Sequence, residues 1–176
     1  MIGWPVLVLF AVLATLVFYI GMQNDCAIAA EFKGVFNRQA LLTFGLIAPF
    51  LKIMHLFGHT LEATRFGVRV RQVGVNLIGL YPLPFVDCSV ADHTARRRDR
   101  ILISIAGLMT DFLICLIAFV VWHFADNNVV QSVAGRVFAF STISSILFNA
   151  NPLMKFDGYY VMVDQIGQRN LYTRAN

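Results

Sequence analysis

Two histidines four residues apart, His55 and His59, stand inside the apolar run Lys52-Ile53-Met54-His55-Leu56-Phe57-Gly58-His59-Thr60-Leu61-Glu62. On a helix that spacing aims both imidazoles from one face, which is how one helix supplies two ligands to one metal ion. The frame is that of H-E-x-x-H, whose glutamate takes a proton from metal-bound water, but its second position here is Leu56. A third ligand candidate, Asp157, lies in Asn151-Pro152-Leu153-Met154-Lys155-Phe156-Asp157-Gly158. Two imidazoles and one carboxylate leave a fourth tetrahedral position for water, the donor set of a catalytic zinc. The residues alone also allow a plainer reading, in which His55 and His59 are buried hydrogen-bonding residues and Asp157 caps a turn before Gly158.

Glu62 is the one nearby acid that could stand in for the missing glutamate. At about 100° per residue, His59 and Glu62 fall about 40° and 20° from His55, whereas Leu56 points about 100° away. Three roles follow for Glu62, in descending order of expectation. It pairs at the surface with Arg65 or Arg69, it orients His59 or joins the metal, or it serves as a surrogate base. Lys52 and Asp111 both fall inside apolar runs, where an unpaired charge is costly, and are expected to pair with each other. His93 and His123 are expected at the surface or the membrane interface.

Those side chains must be carried by membrane-spanning elements. The sequence has 176 residues, is 58% hydrophobic and 14% charged, and has a mean hydropathy of +0.68. That is too apolar for an ordinary soluble domain. The expectation is a single α-helical membrane domain of about four transmembrane helices, at residues 2–22, 40–64, 101–124 and 129–148. The first run resembles a signal peptide in having Ala27-Ile28-Ala29 beyond it, but no basic residue precedes it and it is long for such a segment, so a retained span is expected. Asp25 to Arg38 reads as a polar connection. The fourth span carries Arg136 and several serines and is expected to face protein. Residues 155–176 read as a polar tail.

Between the second and third spans the pattern changes. Val68 and Val70 alternate with arginines, and Val73, Val75 and Leu77 alternate on the opposite parity, which predicts β-structure with a break near Gln72. Leu80 to Val86 carries Pro82 and Pro84 and cannot be a helix interior. Residues 67–90 are therefore expected to form a β-hairpin or re-entrant element against the spans. Arg65, Arg69, Arg71, Arg96, Arg97, Arg98 and Arg100 lie between spans two and three, and Lys155, Arg169 and Arg174 follow span four, against Lys33 and Arg38 on the other side. The positive-inside rule then places both termini in the cytoplasm and brings Asp157 to the depth of the histidines. The net charge of +4 is read as topology and contact with anionic lipid, not nucleic acid, since no recognition module is visible. Cys26, Cys88 and Cys115 form neither a disulfide framework nor a zinc knuckle.

Taken in order, HxxxH on a span, Ala106-Gly107 opening a later one, and Asn151-Pro152 with Asp157-Gly158 after the next resemble the site-2 protease family of intramembrane zinc metallopeptidases, peptidase family M50. The likeness is to its putative peptide zinc metalloprotease branch and runs from about Leu41 to Arg174. It includes Gly67-Val68-Arg69-Val70, Tyr81-Pro82-Leu83-Pro84-Phe85-Val86-Asp87 and Asn149 to Tyr160. The resemblance implies that His55, His59 and Asp157 bind Zn2+. It also implies that the 67–90 hairpin, with Val73, Val75 and Leu77, presents substrate as an added strand. The family's glutamate falls at Leu56, and loss of a general base typically costs about 10² to 10⁴ in rate. Family members also continue well past the Asp-Gly segment, which leaves a short relative or a fragment as the two readings.

The leading expectation is a site-2-protease-like protein of a bacterial inner membrane that keeps the metal frame but is catalytically impaired. Such a pseudoprotease or accessory subunit would bind a transmembrane or exported peptide, or a membrane-complex or export-adaptor partner. An active intramembrane metallopeptidase is the second reading, and a structural or haem-binding redox subunit the third. Two histidines one turn apart cannot sit on opposite faces of one haem, which weighs against that last class.

Overall fold

The computed structural model describes residues 4–70, 72–78, 81–87, 96–154 and 156–167. The N-terminal apolar run forms α1 (Trp4–Gln23), and the segment expected to be a polar connection is largely a second helix, α2 (Asp25–Gly34). Asn24 separates them: its side-chain amide donates to the Ile20 carbonyl at 2.9 Å, and its own carbonyl accepts the Ile28 N–H at 3.0 Å. The chain turns by 94° there.

The HxxxH run lies on α3 (Arg38–Arg65), which contains Pro49. A proline at that point removes one helical hydrogen bond. The helix ends where glycine permits a left-handed residue: Gly67 has φ 71°, its N–H reaches the Thr64 carbonyl at 3.0 Å, and the Val68 N–H reaches the Ala63 carbonyl at 2.9 Å. This pair of bonds is a Schellman cap. Its apolar partner is present too, since Ala63, Val68 and Ile103 form a buried cluster with Phe66 and Val70 against it. That packing explains why Val68 to Val70 lie outside the strand that their alternation predicts, while residue 71 is outside the described residues.

The β-structure is a two-stranded antiparallel hairpin, β1 (Gln72–Ile78) with β2 (Tyr81–Asp87), in register from Gln72 with Asp87 to Ile78 with Tyr81. Pro82 and Pro84 are two apart and so lack their N–H on the same side of β2. A two-stranded sheet leaves each strand one open edge, where such residues are tolerated.

Two long helices follow, α4 (Arg97–Phe124) and α5 (Asn128–Ser144). The expected fourth span does not finish as an α-helix: Ser145–Asn149 is a π-helical turn, closed by the Ala150 N–H on the Ser145 carbonyl at 2.7 Å. The described part of the expected tail is a helix, α6 (Asp157–Ile166), capped by Gly167 at φ 74°. His93, Lys155, Arg169 and Arg174 lie outside the described residues.

Three helices are long and apolar enough to cross a membrane, Arg38–Arg65, Arg97–Phe124 and Asn128–Asn149, and four if the bent α1–α2 pair is one span. The mostly helical architecture with a small antiparallel sheet is consistent with an integral membrane protein.

The chain forms two compact units, to each of which α3 and α4 contribute a segment: Met1–Ile47 with Phe112–Thr142, and Ala48–Asp111 with Ile143–Asn176. The first packs Ile20, Ala118, Phe119, Trp122, Ala134 and Phe138 into one cluster. In the same unit Arg136 donates to the Thr43 hydroxyl at 2.8 Å, and the Trp122 indole donates to Glu31 at 3.2 Å. Each hydrogen bond gives a polar group within the apolar bundle a protein partner. The second unit contains His55 and His59, the hairpin and α6.

Candidate metal centre

His55 and His59, one turn apart on α3, are 2% and 9% exposed. Their rings meet edge to face, with centroids 4.7 Å apart. Space for both comes from Gly107 on α4: a Cβ there would lie 2.7 Å from His55 Cε1 and 2.6 Å from His59 Cε1. Real side-chain contacts do not approach that closely, so any larger residue would displace the rings.

The outer nitrogen of each ring is tied to a group that can only accept. His59 Nδ1 lies 2.7 Å from the Ile103 carbonyl oxygen, and His55 Nδ1 lies 3.0 Å from Asp111 Oδ2. Each Nδ1 therefore carries a proton and donates it, which turns both Nε2 atoms towards the space between the rings. The two Nε2 atoms are 3.1 Å apart.

Asp157 closes the group from the first turn of α6. Its Oδ2 is 3.1 Å from His55 Nε2 and its Oδ1 is 3.3 Å from His59 Nε2. Gly158 allows this approach, because a Cβ at that position would stand 2.6 Å from the Ala150 carbonyl carbon. The far end of α6 is clipped to the start of α4: Arg100 grips Asp164 with Nε 3.1 Å from both carboxylate oxygens and one terminal nitrogen 2.6 Å from Oδ1. Arg97 also donates to the Gln165 carbonyl.

His55, His59 and Asp157 thus form a group that could hold a metal ion, with candidate ligand atoms all within 4.8 Å of one another. The dimensions fit. Ligands at about 2.0 Å around a tetrahedral ion are spaced by about 3.3 Å, close to the 3.1 Å between the two Nε2 atoms and to the 3.1 and 3.3 Å from them to Oδ2 and Oδ1 of Asp157 respectively. Asp157 Oδ2 is buried and makes no hydrogen bond of acceptable geometry despite its closeness to His55. Burial alone would raise the Asp157 pKa, but the adjacent His55 and His59 outweigh it and hold the carboxyl well below the usual carboxylate range. Two imidazole Nε2 atoms and a carboxylate thus face one another in an arrangement that could hold a metal ion.

The expected Lys52–Asp111 pair is replaced. Asp111 Oδ2 takes the His55 Nδ1–H, the Ser145 hydroxyl at 3.0 Å and the Asn149 amide at 2.7 Å. With three donors that carboxylate is satisfied, and no Lys52–Asp111 ion pair forms among the described residues. Glu62 pairs with Arg65, Oε2 to guanidinium 3.5 Å. It does so from a buried position, not at the surface, and its Oε1 finds no hydrogen-bond partner among the described residues. It is not part of the three-residue ligand group. Leu56 is partly buried on α3.

Val73, Val75 and Leu77 project from β1 with 72%, 60% and 72% of their surface exposed. His123 makes a ring contact with its neighbour Phe124. The contacts of Ser145, Asn149 and the Ile103 carbonyl to this centre were not expected from sequence. The only available signal was an Asp in an apolar span, which demands a partner without naming it.

Comparison of the chain with family models, with curated proteins and with solved structures finds no match.

Proposed function

We propose that the chain is an integral membrane metalloprotein of the site-2-protease type, with His55, His59 and Asp157 as zinc ligands and Leu56 in place of the general base. The observation that carries this reading is the convergence of two Nδ1-tethered imidazoles and one carboxylate at tetrahedral-edge spacing. Imidazole and carboxylate donors suit zinc among the available divalent ions. In hydrolysis zinc would supply an activated water, and a leucine side chain cannot remove that water's proton. The protein holds metal and turns over slowly or not at all.

Its role is then that of a pseudoprotease or accessory subunit that binds a peptide, a transmembrane segment or an export-adaptor partner. The exposed apolar row of Val73, Val75 and Leu77 supports the hairpin as the place where an extended segment adds a strand. The basic residues between α3 and α4 support an inner-membrane orientation with both termini cytoplasmic.

Metal analysis of the purified full chain in detergent tests the centre: about one zinc per chain is expected, lost in His55→Ala. A cleavage assay on helical and extended peptides then tests the chemistry. No turnover is expected from the present sequence, and Leu56→Glu should restore it. Absence of metal refutes the centre, and turnover by the unaltered chain refutes the pseudoprotease.

A further inference from the structure

We infer that Asp111 is a positioning residue for the metal centre, held in place by the π-helical turn at Ser145–Asn149. This rests on the metal reading of His55, His59 and Asp157.

Asp111 is a 7% exposed acid on an apolar helix, and no step of hydrolysis calls on it. One of its oxygens gathers three donors from two other elements: His55 Nδ1 of α3, and the Ser145 hydroxyl and Asn149 amide of the turn after α5. The last two are four residues apart and lie at the two ends of the π-helical turn. Its wider hydrogen-bonded ring shifts the following side chains relative to an α-helix, and such turns recur at functional sites. Here both Ser145 and Asn149 reach the same oxygen.

The consequence falls on His55. A carboxylate on Nδ1 fixes the tautomer that leaves Nε2 free, fixes the ring plane, and raises the basicity of the ligating nitrogen. His59 has only a neutral carbonyl in that place. The two histidines are therefore unequal ligands, with His55 the stronger donor. Asp111 and Asp157 also supply two negative charges against the two positive charges of a divalent ion, in surroundings where water screens little.

The experiment measures zinc affinity by chelator competition on the full-length detergent-solubilised protein, with the d–d spectrum of the Co2+-substituted form and the melting temperature of the metal-free form. Asp111→Asn keeps the size and an acceptor oxygen but removes the charge. Ser145→Ala removes one donor to Asp111 and no ligand. Asp111→Asn should lower zinc affinity by about 10- to 100-fold and shift the Co2+ bands, and Ser145→Ala should lower it by less. Metal-free melting of Ser145→Ala should stay close to that of the unaltered protein, so that lost affinity is not lost folding. Unaltered protein that binds no zinc removes the metal reading itself. Zinc bound by the unaltered protein and by both variants with equal affinity and identical Co2+ spectra overturns the role of Asp111 alone. If Asp111→Asn does not fold, Ser145→Ala decides: unchanged affinity and spectrum overturn the proposal.

Discussion

Gly107→Ala tests whether the two imidazoles are held at coordination distance or merely buried. The added Cβ would stand 2.7 Å from His55 Cε1 and 2.6 Å from His59 Cε1. Carbon atoms in contact sit about 3.5–4.0 Å apart, so the rings or α4 must yield by roughly 0.8 Å. A coordination sphere tolerates about 0.2 Å in its distances. Overpacking of this kind costs about 1–3 kcal/mol. If that strain is relieved at the ligands, zinc affinity falls by about 5- to 150-fold. The assay is chelator competition on detergent-solubilised protein, with Gly45→Ala, on the helix α3 that carries the histidines, as the control. A Cβ at position 45 meets nothing within 4 Å, and the better helix former should leave affinity unchanged while helix stability rises by up to about 1 kcal/mol. Gly107→Ala protein that binds zinc within twofold of the original would refute the reasoning, because rings that can move that far without loss are not coordinating.

Three further outcomes are expected. Asp164→Asn should lower stability by about 2–3 kcal/mol and weaken zinc binding through Asp157, since the Arg100–Asp164 pair is nearly buried, at 11% and 12% side-chain exposure; chemical unfolding and zinc titration check both. In the metal-free protein the depressed Asp157 pKa makes its ionised form a source of stability, fully present above the unfolded value of about 4 and lost as pH falls through the lower native value. Melting temperature against pH should therefore drop more steeply below about pH 4 in the original than in Asp157→Asn. Val75→Thr on the exposed face of β1 should change stability by no more than about 0.5 kcal/mol, yet weaken capture of an extended apolar peptide in a fluorescence binding assay.

Helices were legible where a single period governs a long run. The α3 and α4 segments are apolar over more than a bilayer's thickness, and their ends follow charge and the Gly67 cap. The hairpin was legible from alternation, but its start was not: Val68 looks like a strand residue and is consumed by the Ala63–Ile103 cluster that caps α3. Within Asp25 to Arg38, which reads as a connection in the sequence, the charges obscure the apolar face that places Ile28 and Phe32 on the Phe119 cluster. The histidine frame could be read because i and i+4 are fixed by helix geometry. The partner of Asp111 could not, because which of several polar residues reaches a buried acid depends on helix rotation and on a π-helical turn that leaves no periodic trace.

The distribution of hydrogen bonds bears on what Leu56 means. A histidine kept only for structure is expected to satisfy both ring nitrogens. In this centre each ring has Nδ1 satisfied, by Asp111 or Ile103, while the two Nε2 atoms lie 3.1 Å from each other and beside the Asp157 carboxylate. A single proton could bridge one pair of those atoms at a time, leaving the third acceptor opposed; a divalent ion accommodates all three. The contacts that govern ligand geometry are thus separate from the residue that would govern turnover. On the proposed reading, Leu56 at the position of the base disturbs neither tether, neither glycine that makes room, nor the clip on α6. A centre of that kind would be suited to binding metal without a base for hydrolysis, which makes metal content, and not cleavage, the first property on which the proposed reading stands or falls.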